Sequence, residues 1–306
     1  MKDFKRFAIS TILVLLIVFI IDLLLGFFCN KELAQYGDMN FYEASHNKAE
    51  VAVIGASVTV NQYDSRVMAD SLGLNIYNYG AGGQNIYYHY SVVHYLLDKA
   101  EKTPQIIVYN PCHIDLCDAD GWNTENLNAL YFAYNNDEEV RKAVDHQDVK
   151  HRTLLHISML YPNNSQLVNY IKNALFNKVD NNNGYAPLNA VWDKPIEKSE
   201  GADGALDPEK VRYFKSMVSL CKERGVLFII TIAPMYFDFV GEDAWRTFIK
   251  QYAKEENIPL YDYRSSEKYL QHPEWFYNPL HLNAQGASIY SGEISHILKQ
   301  EISDVK

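Results

Sequence analysis

The sequence predicts an α/β protein: a doubly wound, five-stranded parallel sheet with an insertion, preceded by one transmembrane helix. Three observations lead there. Short apolar runs ending in small residues recur along the chain, helical stretches alternate with them, and residues 7–28 form one long apolar segment. Strands that alternate with helices belong to parallel sheets covered on both faces. A strand buried on both faces is apolar at successive positions instead of at every second one.

Composition narrows the function classes. The chain has 306 residues, 48% hydrophobic and 22% charged, ordinary values for a folded protein. Lys and Arg number 28 against 38 Asp and Glu, a formal charge of −10 with no basic run. A nucleic-acid partner needs a basic face, so that class is disfavoured. Four cysteines without a CxxC pair suggest neither a disulfide framework nor a zinc site, and no motif implies a cofactor or metal. The 23 tyrosines read as packing residues.

The apolar segment from Phe7 to Phe28 holds 22 residues and one charge, Asp22. As a helix it matches a hydrocarbon layer of about 30 Å. Lys2, Lys5 and Arg6 precede it, which puts the N-terminus in the cytoplasm and the rest of the chain outside. A cleaved signal would have a shorter apolar core and a small-x-small site, and Gly26-Phe27-Phe28-Cys29 offers none. Asp22 is costly at such a place. It either lies close enough to the outer headgroups to stay wet or meets a polar group on another membrane protein.

The expected division is a cytoplasmic tip and anchor over residues 1–29, a polar linker over 30–49, and the main domain over 50–306. Its strands are expected at 51–56, 75–80, 105–110, 226–233 and 258–263. Helices are expected at 64–72, at 85–100, from Pro208 to Gly225, and from Asn283 to about residue 300. Asp207, Pro208 and Gly225 supply a cap, a first helical residue and a stop in the right order. Residues 113–206 break the rhythm, rich in Asn and Tyr with two or three weak helices and a loop-like centre over 180–184, and read as an insertion over the carboxyl ends of the strands. Ligands bind at that edge of such sheets. Cys112 and Cys117 either pair or stay as buried thiols.

Three blocks carry candidate chemistry. Gly55-Ala56-Ser57 follows the first strand and presents a hydroxyl at the sheet mouth. Asn78-Tyr79-Gly80-Ala81-Gly82-Gly83-Gln84 follows the second, where glycines let backbone N–H groups face an anion. Asn278-Pro279-Leu280-His281-Leu282-Asn283 precedes the last helix and brings a histidine to the same edge. Serine and histidine there make a hydrolytic site the economical reading.

In this order the blocks resemble the SGNH (GDSL-like) hydrolases, over residues 51–110 and 226–300. The resemblance implies a flavodoxin-like three-layer α/β/α fold, with Ser57 as nucleophile and His281 as general base. It implies an oxyanion hole from the Ser57 N–H, Gly83 (Gly80 as fallback) and Asn110. The family's DxxH aspartate is Asn278 here, which removes a charge and leaves Asp262 or Glu274 as alternative carboxylates. Its GxND block is degraded to Tyr109-Asn110-Pro111-Cys112. The implied function is a membrane-anchored serine esterase or O-acyltransferase on acylated cell-surface carbohydrate, beside a multi-spanning acyltransferase partner. The alternative is a non-catalytic glycan-binding or scaffolding relative.

Overall fold

The computed structural model describes residues 2–33, 38–118, 127–147, 149–163, 167–176, 182–201, 204–241 and 243–305. The chain folds as two units, one formed by residues 1–42 and 127–179, the other by 43–126 and 180–306.

The larger unit holds a five-stranded parallel sheet: β1 (Val51–Gly55), β2 (Ile76–Asn78), β3 (Ile106–Asn110), β4 (Leu227–Ile232) and β5 (Leu260–Asp262). Their spatial order is β2-β1-β3-β4-β5, all neighbours parallel, the flavodoxin-like doubly wound order. Every residue of β1, β2 and β3 is buried, as continuous apolar runs demand. One face carries Val51, Val53, Ile106, Val108 and Ile229 against Met68, Tyr290, Ile294 and Leu298. The other turns Tyr109 toward Phe214 of helix Pro208–Glu223, ring centroids 6.0 Å apart. Helices on both faces make three layers.

The caps explain where helices begin. Asp64 accepts from the N–H groups of Arg66 and Val67, Asn85 from Tyr87, Asp207 from Glu209 and Lys210, and Asn283 from Gln285 and Gly286. Each oxygen satisfies N–H groups that the first helical turn leaves without partners. Several helices have no counterpart in the sequence reading, among them two that flank the sheet. Ser57–Gln62 starts directly at the end of β1, although Val58, Thr59 and Val60 are β-branched and favour extended chain. Ala244–Glu255 makes the crossover from β4 to β5 and buries Trp245, Ile249 and Ala253, spaced by four.

Residues 113–206 are divided between the units. The stretch 185–199 runs along the sheet unit, where the Ala186 N–H donates to Val60 O at 3.0 Å and Ala284 N–H to Leu188 O at 2.7 Å. Residues 197–199 pair in parallel with 237–239. Asn182–Gly184 forms a tight helical turn, while Asp180 and Asn181 lie outside the described residues, as do 34–37 of the expected linker. Cys112 and Cys117 are free thiols, as are Cys29 and Cys221.

β1 ends on a residue that must be glycine. Gly55 has φ of +153°, and a Cβ there would lie 2.2 Å from Thr59 Oγ1 and 2.6 Å from Asn110 O. The Gly55→Ala variant is expected to lose about 2–4 kcal/mol of stability through strain and overpacking, measured by denaturant unfolding of the sheet unit. An unchanged midpoint would show that the turn into Ser57 relaxes freely.

Candidate active site

The three sequence blocks meet at the carboxyl edge of the sheet. β1 and β3 run in register from Val51 opposite Ile106 to Gly55 opposite Asn110, so their ends emerge side by side. Ser57 opens the short helix after β1. His281 and Asn278 stand on a small antiparallel hairpin, residues 276–278 with 281–282, just before the final helix.

Ser57 Oγ lies 3.1 Å from His281 Nε2, and His281 Nδ1 lies 3.0 Å from Asn278 Oδ1. The same Asn278 oxygen accepts the N–H groups of Leu280 and His281, each at 2.9 Å. Those two backbone donors fix which end of the amide faces the ring. An oxygen there requires His281 Nδ1 to carry its proton, so Nε2 offers a lone pair to the serine hydroxyl, the tautomer a general base needs. Burial pushes His281 below the ordinary histidine range, and the neutral amide adds no charge to oppose it.

The alternative carboxylates are engaged elsewhere. Asp262 accepts from Arg246 Nε at 2.7 Å, and Glu274 bonds His272 Nδ1 at 2.8 Å.

Around the serine and histidine lies a cavity of about 240 Å³, lined by Val58, Gly83, His113, Ile114, Met235 and Leu280 among others. Gly82 is close by, an ideal Cβ there falling 3.9 Å from Ser57 Cβ. Gly80 is directed otherwise, its N–H donating to Asn78 Oδ1 at 2.9 Å. Asn110 is buried behind the edge, and its amide oxygen accepts from Ala233 N–H at 3.0 Å and Tyr63 OH at 3.2 Å.

Buried polar groups hold this edge from behind. Asn78 Nδ2 donates to Thr59 O at 2.7 Å and Tyr63 O at 2.9 Å, tying the end of β2 to the serine helix. Gln62 Nε2 donates to Leu280 O at 2.8 Å, tying that helix to the histidine hairpin. The wall from Cys112 to Ile114 rests on Asp115, which accepts the Cys112 N–H at 2.9 Å and sits 3.0 Å from His89. Burial alone would raise Asp115, but His89 and the Cys112 N–H outweigh it and hold the carboxyl below its ordinary range. Lys210 Nζ donates to the carbonyls of Ile114 and Cys117 from the far side.

His113 and Met235 were absent from the sequence reading. Their signal was position alone, each within three residues of the carboxyl end of a parallel strand. Among the described residues no group of three or more His, Cys, Asp and Glu is placed to hold a metal ion.

No protein-family model and no curated protein matches the sequence. Solved structures resemble the chain at low identity. One is a Bacteroides fragilis protein provisionally described as an acylhydrolase, with 15% identity, TM-score 0.41, and coverage of 90% of this chain and 97% of that one. A second, from Desulfitobacterium hafniense, is provisionally described as a lipolytic protein of the G-D-S-L family, with 11% identity, TM-score 0.41, and coverage of 81% and 98%. A third is a GDSL-like lipase from Bacteroides thetaiotaomicron, with 15% identity, TM-score 0.40, and coverage of 90% and 100%. By their descriptions two of these three are GDSL-type lipolytic proteins and one is an acylhydrolase.

Proposed function

We propose that the protein is a serine esterase or O-acyltransferase that works through an acyl-Ser57 intermediate on acylated cell-surface carbohydrate. The observation that carries this reading is the aligned set Ser57 Oγ, His281 and Asn278 Oδ1, with contacts of 3.1 and 3.0 Å.

In the proposed reaction Ser57 Oγ attacks the ester carbonyl carbon while His281 Nε2 takes its proton. Negative charge on the carbonyl oxygen is met by the N–H groups of Ser57 and Gly83, with the amide nitrogen of Asn110 as third candidate; one such donor is worth about 3–4 kcal/mol. Collapse breaks the C–O ester bond, and His281 returns the proton to the departing alcohol. Water then attacks the acyl-serine in an esterase, or a sugar hydroxyl in a transferase, with His281 again as base. The small, mainly apolar cavity fits a short acyl group.

Asn278 keeps the geometry of an orienting aspartate without its charge. In serine proteases an asparagine at that position costs about 10⁴ in rate because it selects the wrong tautomer. Here the two backbone donors on Asn278 Oδ1 prevent that error, so the remaining penalty is the missing stabilisation of imidazolium. An N-terminal helix long and apolar enough to span a membrane is present. We place the sheet unit outside the cell on the basic residues before that helix, where an acylated surface glycan and a membrane-bound acyl donor enzyme would meet it.

Wild-type protein should react with a fluorophosphonate and hydrolyse p-nitrophenyl acetate slowly, and a folded Ser57→Ala variant should do neither. Retained turnover in that variant would exclude Ser57 as nucleophile, and an inert wild type would favour a binding role. Release of acetate from acetylated cell-wall glycans, followed by mass spectrometry, checks the substrate class.

The pH profile has a defined sign. Activity needs neutral His281, and burial holds its pKa below the ordinary value of about 6.5. kcat/KM should therefore stay level through neutrality and fall only on the acid side of the usual histidine range. Asn278→Asp puts a carboxylate on Nδ1, which favours imidazolium. The acid limb should move to higher pH and the plateau rise roughly tenfold or more. An unmoved limb in a folded variant would show that the side chain at 278 does not govern the base.

A further inference from the structure

The smaller unit solves the problem posed by Asp22 within the chain itself. Asp22 accepts from Ser158 Oγ at 2.5 Å and from the N–H groups of Met159 at 2.9 Å and Leu160 at 3.4 Å. One turn on, Gly26 meets the same segment, and a Cβ there would fall 2.4 Å from the Met159 carbonyl carbon. A further turn on, Asn30 Oδ1 accepts from Asn163 Nδ2 at 2.8 Å, and Asn30 Nδ2 donates to Met159 O at 3.4 Å. Asp22, Gly26 and Asn30 are spaced by four and share one helix face, so the long helix offers a built seat to residues 158–163.

Depth follows from helix geometry. Asp22 stands six residues before Phe28, about 9 Å inside the end of the apolar segment. Around it Ile21, Leu23, Leu24 and Leu25 are exposed. Whatever bonds Asp22 reaches the same depth, where no water satisfies backbone groups. The turn is made for that setting: Tyr161 N–H donates to Ser158 Oγ, Asn163 N–H to Leu160 O, and Asp22 takes the N–H groups of Met159 and Leu160.

The flanking helices carry the second observation. In Val149–Ile157, Leu154 and Ile157 are exposed. In Leu167–Phe176, Tyr170 is fully buried, while Val168, Ile171, Leu175 and Phe176 are exposed at 77, 45, 70 and 72%. Positions 168, 171 and 175 form one outward stripe, and Lys172 is the helix's one charge. A helix facing water shows mainly polar residues outward; this one shows an apolar stripe beside exposed Lys172, as helices lying in a membrane interface do.

We infer that residues 154–163 and 167–176 form a second membrane-contact surface that rests in the lipid leaflet nearest Phe28 and shields Asp22 from the acyl chains. Its occupant is the phospholipid bilayer, because the surface continues from the apolar helix and is pinned to it below the level of Phe28. The inference rests on the reading of residues 7–28 as a membrane anchor.

The test uses full-length protein in phosphatidylcholine–phosphatidylglycerol vesicles, with single nitrobenzoxadiazole labels on introduced cysteines. Nitroxide-bearing lipid should quench labels at Val168→Cys and Leu175→Cys several-fold more than at Glu138→Cys, an exposed acidic position of the same unit. Leu16→Cys, in the middle of the apolar helix, reports on the anchor separately. Quenching at 16 with none at 168 and 175 overturns the inference while the anchor stands. No quenching at 16 removes the anchor reading, and the inference with it. Asp22→Ala should weaken quenching at 168 and 175 while leaving 16 unchanged; no change at any position would show that Asp22 does not pin the surface.

Discussion

One amide oxygen governs the site. Asn278 Oδ1 receives a ring N–H and two backbone N–H groups, and everything proposed for His281 depends on that convergence. Two of its three donors are backbone N–H groups, one exposed and one part-buried, so a flipped amide would lose both hydrogen bonds, about 0.5–1.5 kcal/mol each. Local chain geometry thereby does for this histidine what a carboxylate charge does in an ordinary triad: it selects the tautomer. It does not supply the charge, so orientation and electrostatic support, usually delivered by one residue, are separated here.

The second constraint is that three loops from distant parts of the sequence are held at one edge by buried polar knots. Tyr63 OH touches Asn110, Thr231 and Tyr290 at 3.2, 2.8 and 3.1 Å, joining the serine helix region, β3, β4 and the final helix. Asn78 and Gln62 add the end of β2 and the histidine hairpin. Buried polar networks specify one arrangement more sharply than apolar packing does, since alternative arrangements give up these hydrogen bonds. A 3.1 Å serine–histidine contact across 224 positions of chain is the product.

Much of this was legible in the residues. The five strands fall within the runs expected at 51–56, 75–80, 105–110, 226–233 and 258–263, and Asp207 and Asn283 cap helices where the sequence placed them. Ser57 and His281 were visible through the order of three blocks at one sheet edge, and Asn278 through the resemblance to the SGNH hydrolases. Helix Ser57–Gln62 was hidden because its β-branched residues argue for strand, and packing against the final helix overrides that preference. The split of residues 113–206 between two units was hidden for another reason. Helices Val149–Ile157 and Leu167–Phe176 turn apolar residues outward, so a periodicity search that assumes water outside reads them as weak. Asp22 shows the same limit: a charge in an apolar run announces a partner, but the partner lay 136 residues away.

The position of His281 has a consequence for how the protein comes into being. Ser57 and the glycine turn leave the ribosome early, and β1, β2 and β3 can pair through crossovers of ordinary length. The base arrives some 220 residues later, followed by the helix Ala284–Val305 that closes one face of the sheet. Domains assemble from the N-terminus as synthesis proceeds, so in the growing chain Ser57 precedes its histidine partner by 224 positions. A chain halted anywhere before the final hairpin would lack the contact between Ser57 and His281, so the proposed chemistry would require synthesis to pass residue 281.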